Sequence, residues 1–320
     1  MNSFKQTIKN IQSIKIQGAS NICRTSLAAW QTHLINLKIK RVDVYLEEAY
    51  RIGRCLLNAR PNEPLTVNAL NYLNKRLQDS VKIRDIIIGI NDMKKLTRQY
   101  VEDFFALLHD IDQKITEHGS KFIKNKENIF IHCHSRTVEN ILIRAKKEYK
   151  KKFHVYNDET RPLFQGRITS KSLIKNKIPN TMVVDPAAPF LVSDASGDDI
   201  KIHRVFLGFD VILPDGSALN KIGSFGIALT AYDSKIPIYL CGSLLKYSPD
   251  KKMKIELRRS SEIWPHRPKK LEIINYAFDR IPAKFILGYI TEFGIIKPND
   301  MENVVKKNYR WIINKYINGR

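Results

Sequence analysis

The run Ile129-Phe130-Ile131-His132-Cys133-His134-Ser135-Arg136 puts a thiol, two imidazoles, a hydroxyl and a guanidinium in consecutive positions after an apolar stretch. The apolar stretch reads as a strand, and from Val138 the apolar residues Ile141, Leu142, Ala145 and Tyr149 recur at helical spacing. Strand, tight turn and helix N-terminus therefore meet at Cys133. Free backbone N–H groups and the positive end of a helix dipole favour an anion there. The same field lowers a thiol pKa. Ser135 fits as N-cap, its hydroxyl also free to face a ligand. Two roles stay open for Cys133: a small buried hydrophobe ending a core strand, or an activated thiolate.

The elements that must position this stretch change character along the chain. Residues 1 to about 120 read as helical. The segment 27–57 carries aliphatics among charges, with no proline and only Gly53 near its end. Segments 68–77 and 93–118 continue the pattern, with Asp92 as a candidate N-cap. Pro61 and Pro64 force a loop between the first two of these segments. From about 127, β-type runs at 129–133, 153–156, 181–184, 205–213 and 236–241 alternate with helical patterns at 170–177 and 222–232. Such alternation predicts a parallel sheet with helices on its faces.

Ligands of such sheets bind beyond the carboxyl ends of the strands. Those ends carry Cys133, Ser135 and Arg136; the run from Asn157 through Glu159-Thr160-Arg161-Pro162 to Gln165-Gly166; Asp185; Gly208-Phe209-Asp210 with Asn220-Lys221-Ile222-Gly223; and Lys246. Singly, each has an ordinary role: Asp185 and Asp210 as helix caps, Arg161 paired with Glu159, Lys221 and Arg60 in solvent. Together they place a thiol, carboxylates, cations and amides on one crest.

Composition narrows the classes. Hydrophobic content of 43% and charged content of 27% over 320 residues describe a globular protein with an ample core. No apolar run approaches a membrane span, and Met1-Asn2-Ser3-Phe4-Lys5 lacks a signal-peptide core, so a cytosolic protein is expected. Cys23, Cys55, Cys133 and Cys241 show no metal-type pairing, so reduced thiols and no metal are expected. The net charge of +22 admits nucleic acid, a multiply phosphorylated substrate, or a lysine-rich surface as its cause. No RNA-recognition aromatic pair, zinc finger or long basic tail accompanies it, so nucleic acid is not an expected partner.

Several motifs in order make the chain resemble a known family. They are Gly18-Ala19, Ala59-Arg60-Pro61, His132-Cys133-x-Ser135, Glu159-Thr160-Arg161-Pro162 with Gln165-Gly166, Gly208-x-Asp210, Asn220-Lys221-Ile222-Gly223, Ala277-Phe278-Asp279 and Ile290-Thr291-Glu292-x-Gly294. The family holds the α, β and δ subunits of translation initiation factor 2B, methylthioribose-1-phosphate isomerase and archaeal ribose-1,5-bisphosphate isomerase. The spacing from Asn220-Lys221 to Lys246 looks like the ribose-1,5-bisphosphate branch.

The resemblance implies an α/β protein: an N-terminal helical domain, 1–122, followed by a Rossmann-like domain, 123–320, with a mostly parallel sheet. It implies aldose–ketose isomerisation of a phosphorylated ribose, best matched by ribose 1,5-bisphosphate to ribulose 1,5-bisphosphate. Cys133 and Asp210 match the family's proton-transfer pair: a thiolate suits removal of a carbon-bound proton and a buried carboxylic acid suits supplying one. Contacts to the phosphorylated sugar carry over onto Gln17, Gly18, Ala19, Ser20, Arg60, Ser135, Arg136, Thr137, Arg161, Gln165, Asn220, Lys221 and Lys246. No cofactor is implied, and a homo-oligomer (a dimer or a hexamer built of dimers) is. The sequence also departs from the isomerases: Gln17 replaces an arginine, Asn62 replaces a threonine, and Phe209 puts a bulky ring next to Asp210. Ser135-Arg136-Thr137-Val138 is closer to the initiation-factor α subunits, so the alternative is a regulatory subunit binding a nucleotide or sugar phosphate and a protein partner.

Overall fold

The computed structural model describes residues 2–82, 88–196, 200–251 and 253–313. It forms two compact units: Met1–Asp110 with Leu245–Tyr247 and Val305–Arg320, and Ile111–Leu244 with Ser248–Val304.

The first unit is helical, with α1 (Asn2–Gln12), α2 (Ala19–Ile35), α3 (Val42–Ala59) and α4 (Pro64–Lys82), and α5 (Ile90–Phe122) beginning in it. Buried residues of α3 fall at Tyr45, Ala49, Ile52, Gly53 and Leu56, the three-and-four spacing of one helical face. The pattern at 27–57, expected as continuous, is broken between α2 and α3. Asn36 caps α2, and Lys94 Nζ donates to the Leu37 carbonyl at 2.7 Å, holding the chain out of helix. Trp30 Nε1 then donates to the Ala49 carbonyl at 2.8 Å, tying α2 to α3. Pro64 opens α4, where its missing N–H costs nothing. Asp92 does not cap α5 as expected; it lies inside the first turn, and the Gly89 carbonyl accepts from Asp92 N and Met93 N.

Secondary structure switches from helix to strand between Phe122 and Glu127. The second unit then runs β1 (Glu127–His132), α6 (Arg136–Lys147), β2 (Phe153–Asp158), α7 (Gln165–Lys175), β3 (Asn180–Val183), α8 (Ala187–Val192), β4 (Arg204–Leu207), β5 (Val211–Ile212), β6 (Ala218–Lys221), α9 (Ser224–Asp233), β7 (Ile238–Cys241), β8 (Phe278–Ile281), β9 (Gly288–Thr291) and β10 (Gly294–Ile296). Two short helices, α10 (Met301–Asn308) and α11 (Arg310–Ile313), follow.

The expected mostly parallel sheet is present, in the order β10-β9-β7-β4-β1-β2-β3. Only the β9–β10 edge is antiparallel. Central strand β1 pairs parallel with β2 and β4, and its Ile129, Phe130 and Ile131 are buried with Val205, Phe206 and Leu207 of β4. Apolar runs without alternation are what a sheet covered on both faces requires. The strand expected over 205–213 is split: β4 ends at Leu207, and β5 belongs to a separate antiparallel sheet, β5-β6-β8. Among the described residues no helix is long and apolar enough to cross a membrane.

Candidate active site

The candidate site is assembled from the segments that follow β1, β2, β3 and β4, with β6 of the smaller sheet. β1 ends at His132 and α6 begins at Arg136, so Cys133 occupies the turn between strand and helix. Its φ of +67° is a left-handed value, uncommon for a residue with a Cβ. Three hydrogen bonds hold it there. Cys133 N donates to Thr160 Oγ1 at 3.1 Å, the Cys133 carbonyl accepts from Thr169 Oγ1 at 3.1 Å, and the thiol faces Gln165 Oε1 at 3.5 Å. Ser135 caps α6 as expected, its hydroxyl accepting from Val138 N at 3.4 Å. Thr137 lies in the first turn of α6 and Arg136 is exposed there.

The loop after β2 is shaped by carboxylates. Asp185, at the end of β3, accepts from Thr160 N and Arg161 N, both at 2.6 Å. It therefore fixes a turn rather than capping a helix. Glu159 pairs with Arg167 at 2.6 Å, not with Arg161. Arg161 is exposed, lies over the Phe164 ring and donates to the Ile263 carbonyl at 3.4 Å. Gly166 is obligatory: a Cβ there would stand 1.8 Å from the Asp158 carbonyl oxygen, and this close approach lets α7 start with Gln165 beside Cys133.

β4 contributes Gly208-Phe209-Asp210. A Cβ on Gly208 would meet Ser135 Oγ at 2.8 Å, so the strand end packs directly on the α6 cap. Asp210 N donates to the Leu219 carbonyl at 2.9 Å, linking it to β6. Phe209 does not crowd the acid as the sequence suggests. Its ring is 1% exposed, packs where a Cβ on Gly242 would be and meets Tyr289 edge-on at 5.5 Å. On β6, Asn220 donates to Ser224 Oγ at 2.9 Å, and Lys221 is half-buried with Nζ 5.6 Å from the Phe278 ring centre.

Electrostatics corrects one expectation. Burial pushes the Cys133 thiol up to about 11; Lys221 and the His134 N–H pull it down, while Asp210 and Asp158 add to the rise. Desolvation outweighs the cation and the N–H, and so favours the neutral thiol where the helix terminus alone favours a thiolate. Cys133 nonetheless keeps part of its surface open to solvent.

The remaining positions belong to the other compact unit. Gly18, at φ +81°, is the N-cap of α2 with open space around its Cα. Gln17 is exposed, Ala19 buried and Ser20 half-buried. Arg60 is not a solvated side chain: its Nε lies 3.2 Å from Glu63 Oε1, and both groups are largely buried. Lys246 sits in a segment whose Leu245 and Tyr247 carbonyls accept from Asn68 Nδ2 at 2.8 and 2.9 Å. His132, Asp158, Thr160 and Asn68 are not among the contacts that the resemblance implies, although Asp158 and Thr160 lie in the run after β2 that the strand-end argument picked out. Thr160 and His132 stand inside quoted motifs, but nothing in their spacing announces a hydrogen-bond partner.

The family model described as Initiation factor 2 subunit family matches residues 15–298. The chain belongs to that family. The ribose 1,5-bisphosphate isomerase of Thermococcus kodakarensis is 29% identical, over 95% of this chain and 94% of the relative. A methylthioribose-1-phosphate isomerase of Desulforamulus reducens is 30% identical, over 93% and 88%. Among solved structures, translation initiation factor eIF-2B of Pyrococcus horikoshii superposes with a TM-score of 0.77 at 20% identity, covering 92% of this chain and 97% of that one. The chain is thus similar to relatives named for catalysis and, in fold, to a protein named for translation.

Proposed function

We propose that the protein is a sugar-phosphate isomerase that interconverts aldose and ketose forms of a phosphorylated ribose, with ribose 1,5-bisphosphate to ribulose 1,5-bisphosphate as its reaction. The observation that carries the reading is that the segment leading to Asp210 packs through Gly208 on Ser135, the cap of the helix after Cys133, at the carboxyl ends of neighbouring parallel strands. The names of the relatives support the same reaction class.

A sugar phosphorylated on C1 has no free aldehyde, so its ring must open before isomerisation. A neutral thiol suits this order. Cys133 gives its proton to the ring oxygen as the C1–O bond breaks, and becomes a thiolate only then. The thiolate removes the C2 proton, its electron pair forming the C1=C2 double bond of an enol. Cys133 returns that proton to C1 while Asp210 takes the proton leaving the C2 hydroxyl, giving the ketone. Transfer from Asp210 to Cys133 restores the starting state. No oxidant or reductant is consumed.

The resemblance carries phosphate and sugar contacts onto Ser135, Arg136, Thr137, Arg161, Gln165, Asn220 and Lys221 of the second unit; the first unit, taken by itself, holds Gln17, Gly18, Ala19, Ser20, Arg60 and Lys246. The positive dipole ends at the starts of α2 and α6 each suit an anion such as phosphate. A homo-oligomer in the cytosol belongs to the same reading: Phe190, Phe225, Leu229 and Tyr232 on α8 and α9 are exposed. Leu287 and Ile295 are exposed as well, whereas Phe285, Ile286 and Ile296 are buried.

A regulatory subunit is the second reading, favoured by exposed Gln17 at a position where the resemblance implies an arginine. Side-by-side turnover of ribose 1,5-bisphosphate, methylthioribose 1-phosphate and ribose 5-phosphate separates the two. The isomerase reading expects the first to give the highest kcat/KM, and turnover of none supports the regulatory one.

A further inference from the structure

His132 is the residue before the thiol and takes no part in the chemistry above, yet both of its ring nitrogens face acceptors. Nδ1 lies 2.6 Å from Asp158 Oδ2 and Nε2 3.0 Å from the Ile222 carbonyl oxygen. A carbonyl only accepts, so Nε2 carries a proton. Asp158 is buried, and its other oxygen accepts from Thr160 Oγ1 at 2.8 Å. Thr160 Oγ1 in turn accepts from Cys133 N.

The chain of bonds therefore runs from the Ile222 carbonyl, through His132, Asp158 and Thr160, to the backbone of Cys133. Ile222 directly follows Lys221, so its two ends are the turn that carries the thiol and the segment that carries the nearby cation. Gly223, at φ +105°, leaves room for the ring: a Cβ there would stand 3.2 Å from His132 Cε1. The charged groups acting on His132 are Asp158, Asp279 and Asp185. Burial opposes its charged form, but these carboxylates, Asp158 foremost, raise its pKa overall.

We propose that His132, bridging the Asp158 carboxylate and the Ile222 carbonyl, is a positioning residue that fixes the Cys133 thiol relative to Lys221. The proposal rests on the reading of Cys133 as the proton-transferring group. A protonated ring at this place also offsets the Asp158 charge, which otherwise raises the thiol further.

The test compares His132→Gln, Thr160→Val and Thr160→Ser with the unaltered protein, after thermal melts establish that each is folded. Glutamine retains a donor for the Ile222 carbonyl but no charge for Asp158; valine removes the hydroxyl link at nearly constant shape, and serine restores it. Iodoacetamide labelling of Cys133 against pH is expected to shift upward in His132→Gln, with labelling at fixed pH slowed about tenfold for one pH unit. With ribose 1,5-bisphosphate, kcat is expected to fall about 10²-fold in His132→Gln and Thr160→Val, the scale of a displaced reacting group. KM should change little, and Thr160→Ser should stay close to the unaltered protein. An unchanged labelling profile together with unchanged kcat overturns the proposal. If the unaltered protein turns over no sugar phosphate, the isomerase reading falls and the labelling profile alone decides whether this clamp sets the thiol.

Discussion

Gly208, just after β4, packs on Ser135, the cap of α6: a Cβ added to Gly208 would stand 2.8 Å from Ser135 Oγ and 2.9 Å from its Cβ. The strand that delivers Asp210 is thus seated on the cap of the helix that follows Cys133. Gly208→Ala is expected to displace the Ser135 hydroxyl, losing the α6 cap and misplacing Asp210 together. Ser135→Ala removes the cap alone, at about 1 kcal/mol. Urea unfolding should show Gly208→Ala losing at least as much, with sugar-phosphate affinity weakened in both. An unaltered midpoint in Gly208→Ala would show that the contact relaxes without consequence.

Labelling of Cys133 should follow its raised pKa. In the folded protein the alkylation rate should climb tenfold per pH unit through the neutral range and level off only near 11. Cys23, buried and pushed up to about 12, should stay unlabelled until the protein unfolds. Ribose 1,5-bisphosphate should protect Cys133. A plateau below pH 8, read by mass spectrometry, is the result that would restore the activated thiolate.

Cys133→Ser and Asp210→Asn should each remove about 10²–10⁴-fold of turnover, the usual contribution of a general acid or base. Groups that act in the transition state appear in kcat, so the ligand Kd from calorimetry should move little. Losses of only two- or threefold would exclude the pair from the chemistry.

Asp279 accepts from Gly223 N at 2.7 Å and Phe225 N at 3.0 Å at the start of α9. Burial is the largest influence on it and raises its pKa from the ordinary 3.8 to about 6, against those two bonds and the nearby His132. The folded form therefore holds this proton more tightly than the unfolded chain does. Its stabilising effect is full below 3.8 and is lost as pH rises through about 6, at most about 3 kcal/mol. Asp279→Asn keeps an acceptor and removes the titration. Its stability relative to the unaltered protein should therefore improve from pH 4 to pH 7, measured by urea unfolding. A constant difference across that range would mean that Asp279 is ionised throughout.

Local pattern alone determined much of this protein. The change from helix to alternating strands near 122, the strand–turn–helix at Cys133, the Ser135 cap and the break at Pro61 and Pro64 follow from periodicity, capping chemistry and proline geometry, which act over a few residues. The motifs fixed the family for the same reason, being short and ordered. Tertiary structure decided the rest. Nothing within 27–57 encodes a stop at Asn36, because the Leu37 carbonyl is held by Lys94 from another helix. Nothing within 205–213 encodes a strand end at Leu207, because Gly208 must meet Ser135. The ring of Phe209 looks obstructive beside Asp210 in one dimension, and only the space over Gly242 shows where it goes. The thiol is the sharpest instance. A helix N-terminus, visible in sequence, favours a thiolate, but the burial that raises the Cys133 pKa exists only once the chain is folded around it, and it is the largest influence on this thiol.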